Sequence, residues 1–322
     1  MNEGYRARLS VLLAALVLGA PTAFDAQSGQ PLLAPDNRST RLRVDVDLVL
    51  VNVTVTDPFN RLVTGLSKDH FEIYEDKKRQ KVLYFSSEDA PLSLGMLFDL
   101  SSSMKRAGKL RRAVDSAVQF LLTANPQDEF FVVQFADAPR LRGGFTSRVE
   151  DIQNQLVYVE AGGQTALLDA IYLGLNTMRQ AHNARKALLV ISDGGDNHSR
   201  YGVKDIKSFV READVQIYAI GIFDPVGERA QPEILWGPTL LSDIATMTGG
   251  RMFPVELHNL SALPDVAEKI SIELRNQYVL GYRPTNQKRD GSWRKIKVKL
   301  KPPKGLPPLT AYARSGYYAP FH

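Results

Sequence analysis

A chain of 322 residues, 44% apolar and 23% charged, has the composition of a globular protein long enough for one large or two ordinary domains, which excludes wholesale disorder, a collagen-like fibre and a coiled coil. The absence of cysteine excludes a disulfide scaffold, a thiolate zinc site, a cysteine nucleophile and a cysteine-linked lipid anchor, so stability must come from a packed core. The 40 basic and 35 acidic side chains leave a net charge of +5, an excess whose location matters more than its size.

The first predicted element is an export signal. Arg6 and Arg8 precede an apolar run from Leu9 to Ala20, and mostly small residues follow; charged start, short apolar core and small-residue exit are the three parts of a signal peptide. At about 12 residues the run is short for a bilayer span. Residues 1–26 are therefore assigned to a signal segment, with Ala23 and Ala26 as candidate cleavage points and a retained anchor as the alternative. No other stretch approaches transmembrane length, and the chain is expected to be exported to the periplasm, the cell surface or the medium.

Residues 27–40 read as a lead-in. Residues 41–57 then alternate, with Val44, Val46, Leu48, Leu50, Asn52, Thr54 and Thr56 on one face and Val49, Val51, Val53 and Val55 on the other, which is a strand signal. Asp57–Asn60 is a turn. His70–Asp76 and Lys81–Ser87 are two further strands around a charged turn at Asp76–Gln80. This N-terminal β segment, 27–88, is too small to be stable alone.

From Leu92 the pattern changes. Leu92–Leu100 is a near-continuous apolar run, as in a buried parallel strand. Leu110, Ala113, Val114, Ala117, Val118, Leu121 and Leu122 mark an amphipathic helix over Lys109–Thr123. The prediction continues with a strand at Glu129–Phe135, an edge strand at Leu141–Thr146, and helices at Val149–Tyr158 and Ala166–Met178. A strand at Ala187–Ser192, a helix at Lys204–Ala213 and a strand at Val215–Ile222 follow. A short helix at Leu240–Thr248, a strand at Arg251–Pro254 and a helix at Leu263–Asn276 complete the series. Alternating strands and helices over 89–275 predict an α/β domain, a parallel sheet with helices on both faces. The β pattern returns at Gln277–Pro284, Trp293–Leu300 and Leu309–Tyr318. Segment 276–322 is expected to pack with 27–88 as one small β domain beside the α/β domain.

Sites in open α/β sheets form outside the carboxyl ends of the strands. There the first strand ends in Asp99-Leu100-Ser101-Ser102-Ser103, the loop before a central helix carries Gly162-Gly163-Gln164-Thr165, and Ala187–Ser192 runs into Asp193-Gly194-Gly195-Asp196. Three loops thus offer two carboxylates and three hydroxyls at one sheet edge. Oxygen-only ligands suit hard cations, Mg²⁺ above all, which keeps several waters and is held by one or two carboxylates. Such a set leaves an ion under-neutralised, with a position that a partner's carboxylate can fill.

Asp-x-Ser-x-Ser, Gly-Gly-x-Thr and Ser-Asp-Gly in this order and context resemble the metal-ion-dependent adhesion site of von Willebrand factor type A domains, over about residues 89–275. The flanks, including Phe71–Asp76 and Arg314–Tyr318, are similar to exported bacterial proteins of the acidobacterial type that carry this domain. The resemblance implies a Rossmann-like α/β fold. It implies Ser101, Ser103 and Thr165 as direct ligands, and Asp99 and Asp193 as ligands directly or through water. The cofactor would be a divalent cation, Mg²⁺ first, with Mn²⁺ and Ca²⁺ as alternatives. The partner would be a protein presenting Asp or Glu.

Competing readings exist for each residue. Singly, Ser101, Ser103 and Thr165 read as helix caps and Asp193-Gly194-Gly195 as a turn; together, in order, they read as a metal site. Asp169 reads as a solvated acid in a first helical turn, with support of the Thr165 loop as the alternative. Asp196 and His198 read as loop-surface residues. Gly-x-Ser-x-Gly, a Walker loop and His-Glu-x-x-His are all absent from the sequence, so no enzyme is expected. A metal-dependent phosphoryl hydrolase is the runner-up, and a structural protein with a vestigial site a third reading. From Arg275 to Arg314, both included, there are eleven Lys and Arg against the single acid Asp290. They read as a solvated strand face that blocks edge pairing, with attraction to acidic polymers as the alternative; no nucleic acid partner is expected.

Overall fold

The computed structural model describes residues 48–223 and 232–321, all within the second of two units, Val46–His322. The predicted signal segment, the lead-in and the start of the first predicted strand lie outside the described residues.

Alternation in the opening strand sorts its side chains between two environments. In β1 (Val49–Thr56) the valines 51, 53 and 55 are fully buried, while Leu50 on the other face is exposed. A single 3-10 turn, Lys68–His70, leads into β2 (Phe71–Glu75), β3 (Lys78–Gln80) and β4 (Val82–Ser86). β2 and β3 form a hairpin about Asp76 and Lys77, both at positive φ, as a two-residue hairpin turn requires. The predicted turn at Asp76–Gln80 is therefore only two residues long, and its remainder is strand.

The α/β layer follows with β5 (Leu92–Asp99), a 3-10 helix (Ser102–Gly108), α1 (Lys109–Leu121), β6 (Glu129–Phe135), β7 (Pro139–Leu141), α2 (Val149–Val157) and α3 (Leu167–Met178). It continues with β8 (Arg185–Ser192), α4 (Val203–Glu212), β9 (Gln216–Phe223), α5 (Pro232–Met247), β10 (Met252–Glu256) and α6 (Leu263–Arg275). The sheet order is β10-β9-β8-β5-β6-β7, parallel except for β7. All of β5 is buried. Leu94, Met96 and Phe98 pack with α1, α2 and α6 on one face, whereas Leu97 packs with α3, α4 and α5 on the other. Two predicted elements are displaced. The edge strand lies at Pro139–Leu141, and Thr146 contributes one isolated bridge to Phe130. α5 begins well before Leu240 and contains Pro238, a residue that normally breaks a helix and hid its first turns.

The last strands are β11 (Tyr278–Tyr282), β12 (Trp293–Leu300), β13 (Thr310–Ala313) and β14 (Gly316–Tyr318). They complete two antiparallel sheets, β13-β1-β11-β4 and β14-β12-β2-β3, each built from both sides of the α/β layer. Val51, Val53, Val55, Phe71, Ile73, Leu280 and Ile296 form their common core. The single predicted strand Leu309–Tyr318 is instead two strands on different sheets. Its crossing point is pinned by a bridge from Arg314 to Thr248 and by Ser315 N donating to Met247 O at 3.1 Å. Elsewhere along this junction, Gln277 Nε2 donates to Thr54 Oγ1 (3.1 Å) and Tyr218 Oη (3.3 Å).

Candidate metal centre

β5 delivers Asp99 to the carboxyl edge of the sheet with no solvent exposure. Its Oδ1 accepts a hydrogen bond from Ser101 N at 2.8 Å, and its Oδ2 accepts one from Ser192 Oγ at 2.5 Å. Ser192 ends the neighbouring strand β8, and its hydroxyl also accepts from Gly194 N at 2.9 Å. Ser101 holds the N-cap position of the 3-10 helix without capping it. Its Oγ lies 2.9 Å from Ser103 Oγ instead, so the cap reading of Ser101 fails and two hydroxyls stand together beside a buried carboxylate.

The Gly162–Thr165 loop is laced to this turn. Ser102 N donates to Gly163 O (3.0 Å) and Gly162 N to Leu100 O (2.6 Å). Gly163 has φ +85°, and a Cβ there would sit 2.7 Å from the Asp137 carboxylate, which accepts from Gln164 N at 2.8 Å. Thr165 N donates to Asn197 Oδ1 (2.9 Å), and Thr165 O accepts from Asn197 N and His198 N (both 3.1 Å). α3 has no cap from its own N-terminal side chain; Asp196 Oδ2, accepting from Leu168 N at 2.9 Å, supplies one from across the loop.

Asp193 is 1% exposed, and its Oδ2 accepts no hydrogen bond. Gly194 has φ +80°, and a Cβ on it would lie 2.8 Å from the backbone of Gly237 in α5. Only glycine permits that approach. The Lys109 ammonium, also fully buried, lies 3.5 Å from Asp193 Oδ2.

Burial first, and the charge of Asp193 second, push the Asp99 carboxyl up to about 7, against the pull of its bonds from Ser101 and Ser192. Two acids this close and this dry favour either a proton or a cation between them. Among the described residues no group of three or more His, Asp or Glu could hold a metal; what this edge offers is two carboxylates beside hydroxyls. That set, with Asp193 Oδ2 lacking a donor, fits a hard divalent cation that keeps part of its water.

Two expectations are corrected. Asp169 is not solvated: it is 5% exposed and accepts from Arg200 N (3.0 Å), Tyr201 N (3.1 Å) and Arg200 Nε (3.2 Å). Asp196 is not a surface acid but a half-buried bracket that also accepts from Ser199 Oγ at 2.6 Å, and burial raises its pKa. His198 is exposed. The sequence reading missed Lys109, Asp137 and Asn197, and carried Ser192 only as the first residue of the Ser-Asp-Gly motif, with no role of its own. Lys109 carried one signal, a basic residue at the first position of a helix, where the macrodipole disfavours it.

Residues 95–195 match the family model of the von Willebrand factor type A domain, a span that contains Asp99, Ser101, Ser103, Thr165 and Asp193. No curated protein matches the chain. Among solved structures it is similar to BatB from Bacteroides thetaiotaomicron, at 20% identity over 57% of this chain and 98% of that one, with TM-score 0.45. It is similar to the von Willebrand factor domain of the type V pili tip protein Mfa5 from Porphyromonas gingivalis, at 14% identity over 58% and 97%, TM-score 0.46. It is also similar to a von Willebrand factor type A protein from Catenulispora acidiphila, at 13% identity over 85% and 75%, TM-score 0.49. With its mostly parallel sheet clothed by helices on both faces, this chain carries a von Willebrand factor type A domain of Rossmann-like α/β fold.

Proposed function

We propose that this chain is an exported, metal-dependent protein-binding module for adhesion or assembly, of the kind its flanking segments resemble among bacterial proteins. The observation that carries the reading is the convergence of two buried carboxylates with the Ser101 and Ser103 hydroxyls, which cap no helix, at the carboxyl edge of the sheet. Asp99, Ser101, Ser103, Thr165 and Asp193 are the residues that would hold the ion, Mg²⁺ in the first instance. A bound divalent cation supplies an open coordination position for an Asp or Glu of a protein partner. The chain's own residues do the rest: Ser192 and Ser101 N orient Asp99, and Asn197 and Asp137 hold the Thr165 loop. Trp236 stands 70% exposed, next to Gly237, whose backbone abuts Gly194. An exposed tryptophan beside a charged site is a strong anchor for a partner, so the favoured epitope is an acidic residue flanked by an apolar one. Among the described residues no helix is long and apolar enough to cross a membrane.

Calorimetric titration with Mg²⁺ and Mn²⁺ tests this reading. Saturable binding by the wild type and none by Asp99→Ala, with the variant still folded, is the expected result; partner capture should then be lost in chelator. No binding by the wild type, with or without an acidic peptide, overturns it.

A further inference from the structure

Lys109 has no role in the site as proposed, yet it occupies its interior. It is the first residue of α1, follows Gly108 at φ +74°, and has no solvent exposure. A buried ammonium is heavily penalised unless an anion faces it, and the amino end of a helix is the wrong end for a cation. The helix dipole therefore gains nothing from a cation at this position. What Lys109 faces is Asp193 Oδ2, at 3.5 Å, the carboxylate oxygen that accepts no hydrogen bond. Both oxygens of Asp99, by contrast, are occupied by Ser101 N and Ser192 Oγ. The other cation nearby, Lys105, reaches toward Gly162 on the Thr165 loop.

We propose that Lys109 is the resident counter-ion of the metal centre: its ammonium balances the Asp99–Asp193 pair when no metal is bound and contends with the metal for Asp193. This inference rests on the metal-binding reading and adds a consequence to it. Two buried acids without a cation would repel one another at the end of the central strands. With Lys109 in place the domain folds before any metal arrives, and the same positive charge opposes a divalent ion. Metal affinity is therefore held down, and binding favours conditions in which a partner's carboxylate arrives with the metal. Lys109 is thus a positioning and affinity-setting residue rather than a ligand.

The test compares Lys109→Met with the wild type by Mg²⁺ titration calorimetry and by thermal unfolding in chelator and in Mg²⁺. The expected result is a gain of at least about tenfold in Mg²⁺ affinity, the scale of one removed charge at short range. It comes with a fall of roughly 5–10 °C in Tm in chelator that Mg²⁺ restores. Binding by the variant alone, where the wild type binds only with an acidic peptide present, supports the proposal equally. Unchanged or weaker affinity, with Tm lowered alike in chelator and in Mg²⁺, overturns it while leaving the metal site standing, because the wild type still binds. Absence of binding in both proteins overturns the metal reading and this inference together. If Lys109→Met does not fold in either condition, the double variant Lys109→Met/Asp193→Asn decides. Recovery of a wild-type Tm in chelator supports the pairing, and no recovery overturns it.

Discussion

The two ends of the central sheet treat buried acids in opposite ways. At the end where the parallel strands begin, Glu273 meets Arg251 Nη1 at 2.5 Å, and Asp128 meets Arg275 Nη2 at 2.6 Å. Asp128 also accepts from Leu92 N and Asn125 N, each at 2.8 Å. Arg251 reaches further, donating to Asn60 Oδ1 at 2.9 Å and lying over the Tyr312 ring, so it clasps the α/β layer to the β sheets. At the carboxyl end, the Lys109 ammonium lies 3.5 Å from Asp193, while Asp99 is held by the neutral donors Ser101 N and Ser192 Oγ. A guanidinium for each carboxylate makes a joint, since breaking such a pair strands a charge. Two buried carboxylates with a lysine against only one of them leave negative charge that is less fully matched than at the other end.

This contrast can be broken at either end. Glu273→Ala should cause the largest loss, about 3–5 kcal/mol, by leaving Arg251 buried and unpaired. Urea unfolding should give the same loss with and without Mg²⁺. At the other end the sign reverses. Because the folded-state pKa of Asp99 is raised from 3.8 to about 7, the folded protein binds its proton more tightly than the unfolded chain does. Metal-free stability should therefore fall as pH rises from about 4 to about 7. Asp99→Asn should flatten that slope, raising metal-free stability by on the order of 1–2 kcal/mol at pH 8, while abolishing metal binding. Unfolding series in chelator at pH 5 and pH 8 measure both effects. Trp236→Ala should be the mildest, within about 0.5 kcal/mol of wild-type stability with Mg²⁺ affinity unchanged. Its effect should show as weaker partner capture in metal, read by surface plasmon resonance.

What the sequence disclosed follows from how local each signal is. β5, β6 and β12 were legible because an apolar run or a strict alternation reports burial directly. β3 was not, because Lys78, Arg79 and Gln80 have no strand character; the hairpin turn and pairing to Ile73–Glu75 make them a strand. The split of β13 from β14 depends on Met247 and Thr248 gripping residues 314–315, a contact with no trace in local pattern. At the site, Asp99, Ser101 and Ser103 stand out because Asp-x-Ser-x-Ser follows a buried strand, a local signal, and Ser101 Oγ does lie 2.9 Å from Ser103 Oγ. Lys109 was hidden because its role depends on Asp193, distant in the chain, and Asp169 was misjudged because the 196–201 loop folds back over it.

The α/β layer is reached from β4 and left into β11, and these two strands are themselves paired, Ser86 opposite Val279. Mechanically, the layer hangs as a side loop whose attachment points are already clamped together. Tension drawn along the flanking strands would run through the β4–β11 ladder and around the α/β layer. The carboxyl edge of the sheet, where Asp99 and Asp193 lie, is off the β4–β11 ladder, so events at that edge would be set by local chemistry more than by pulling on the chain.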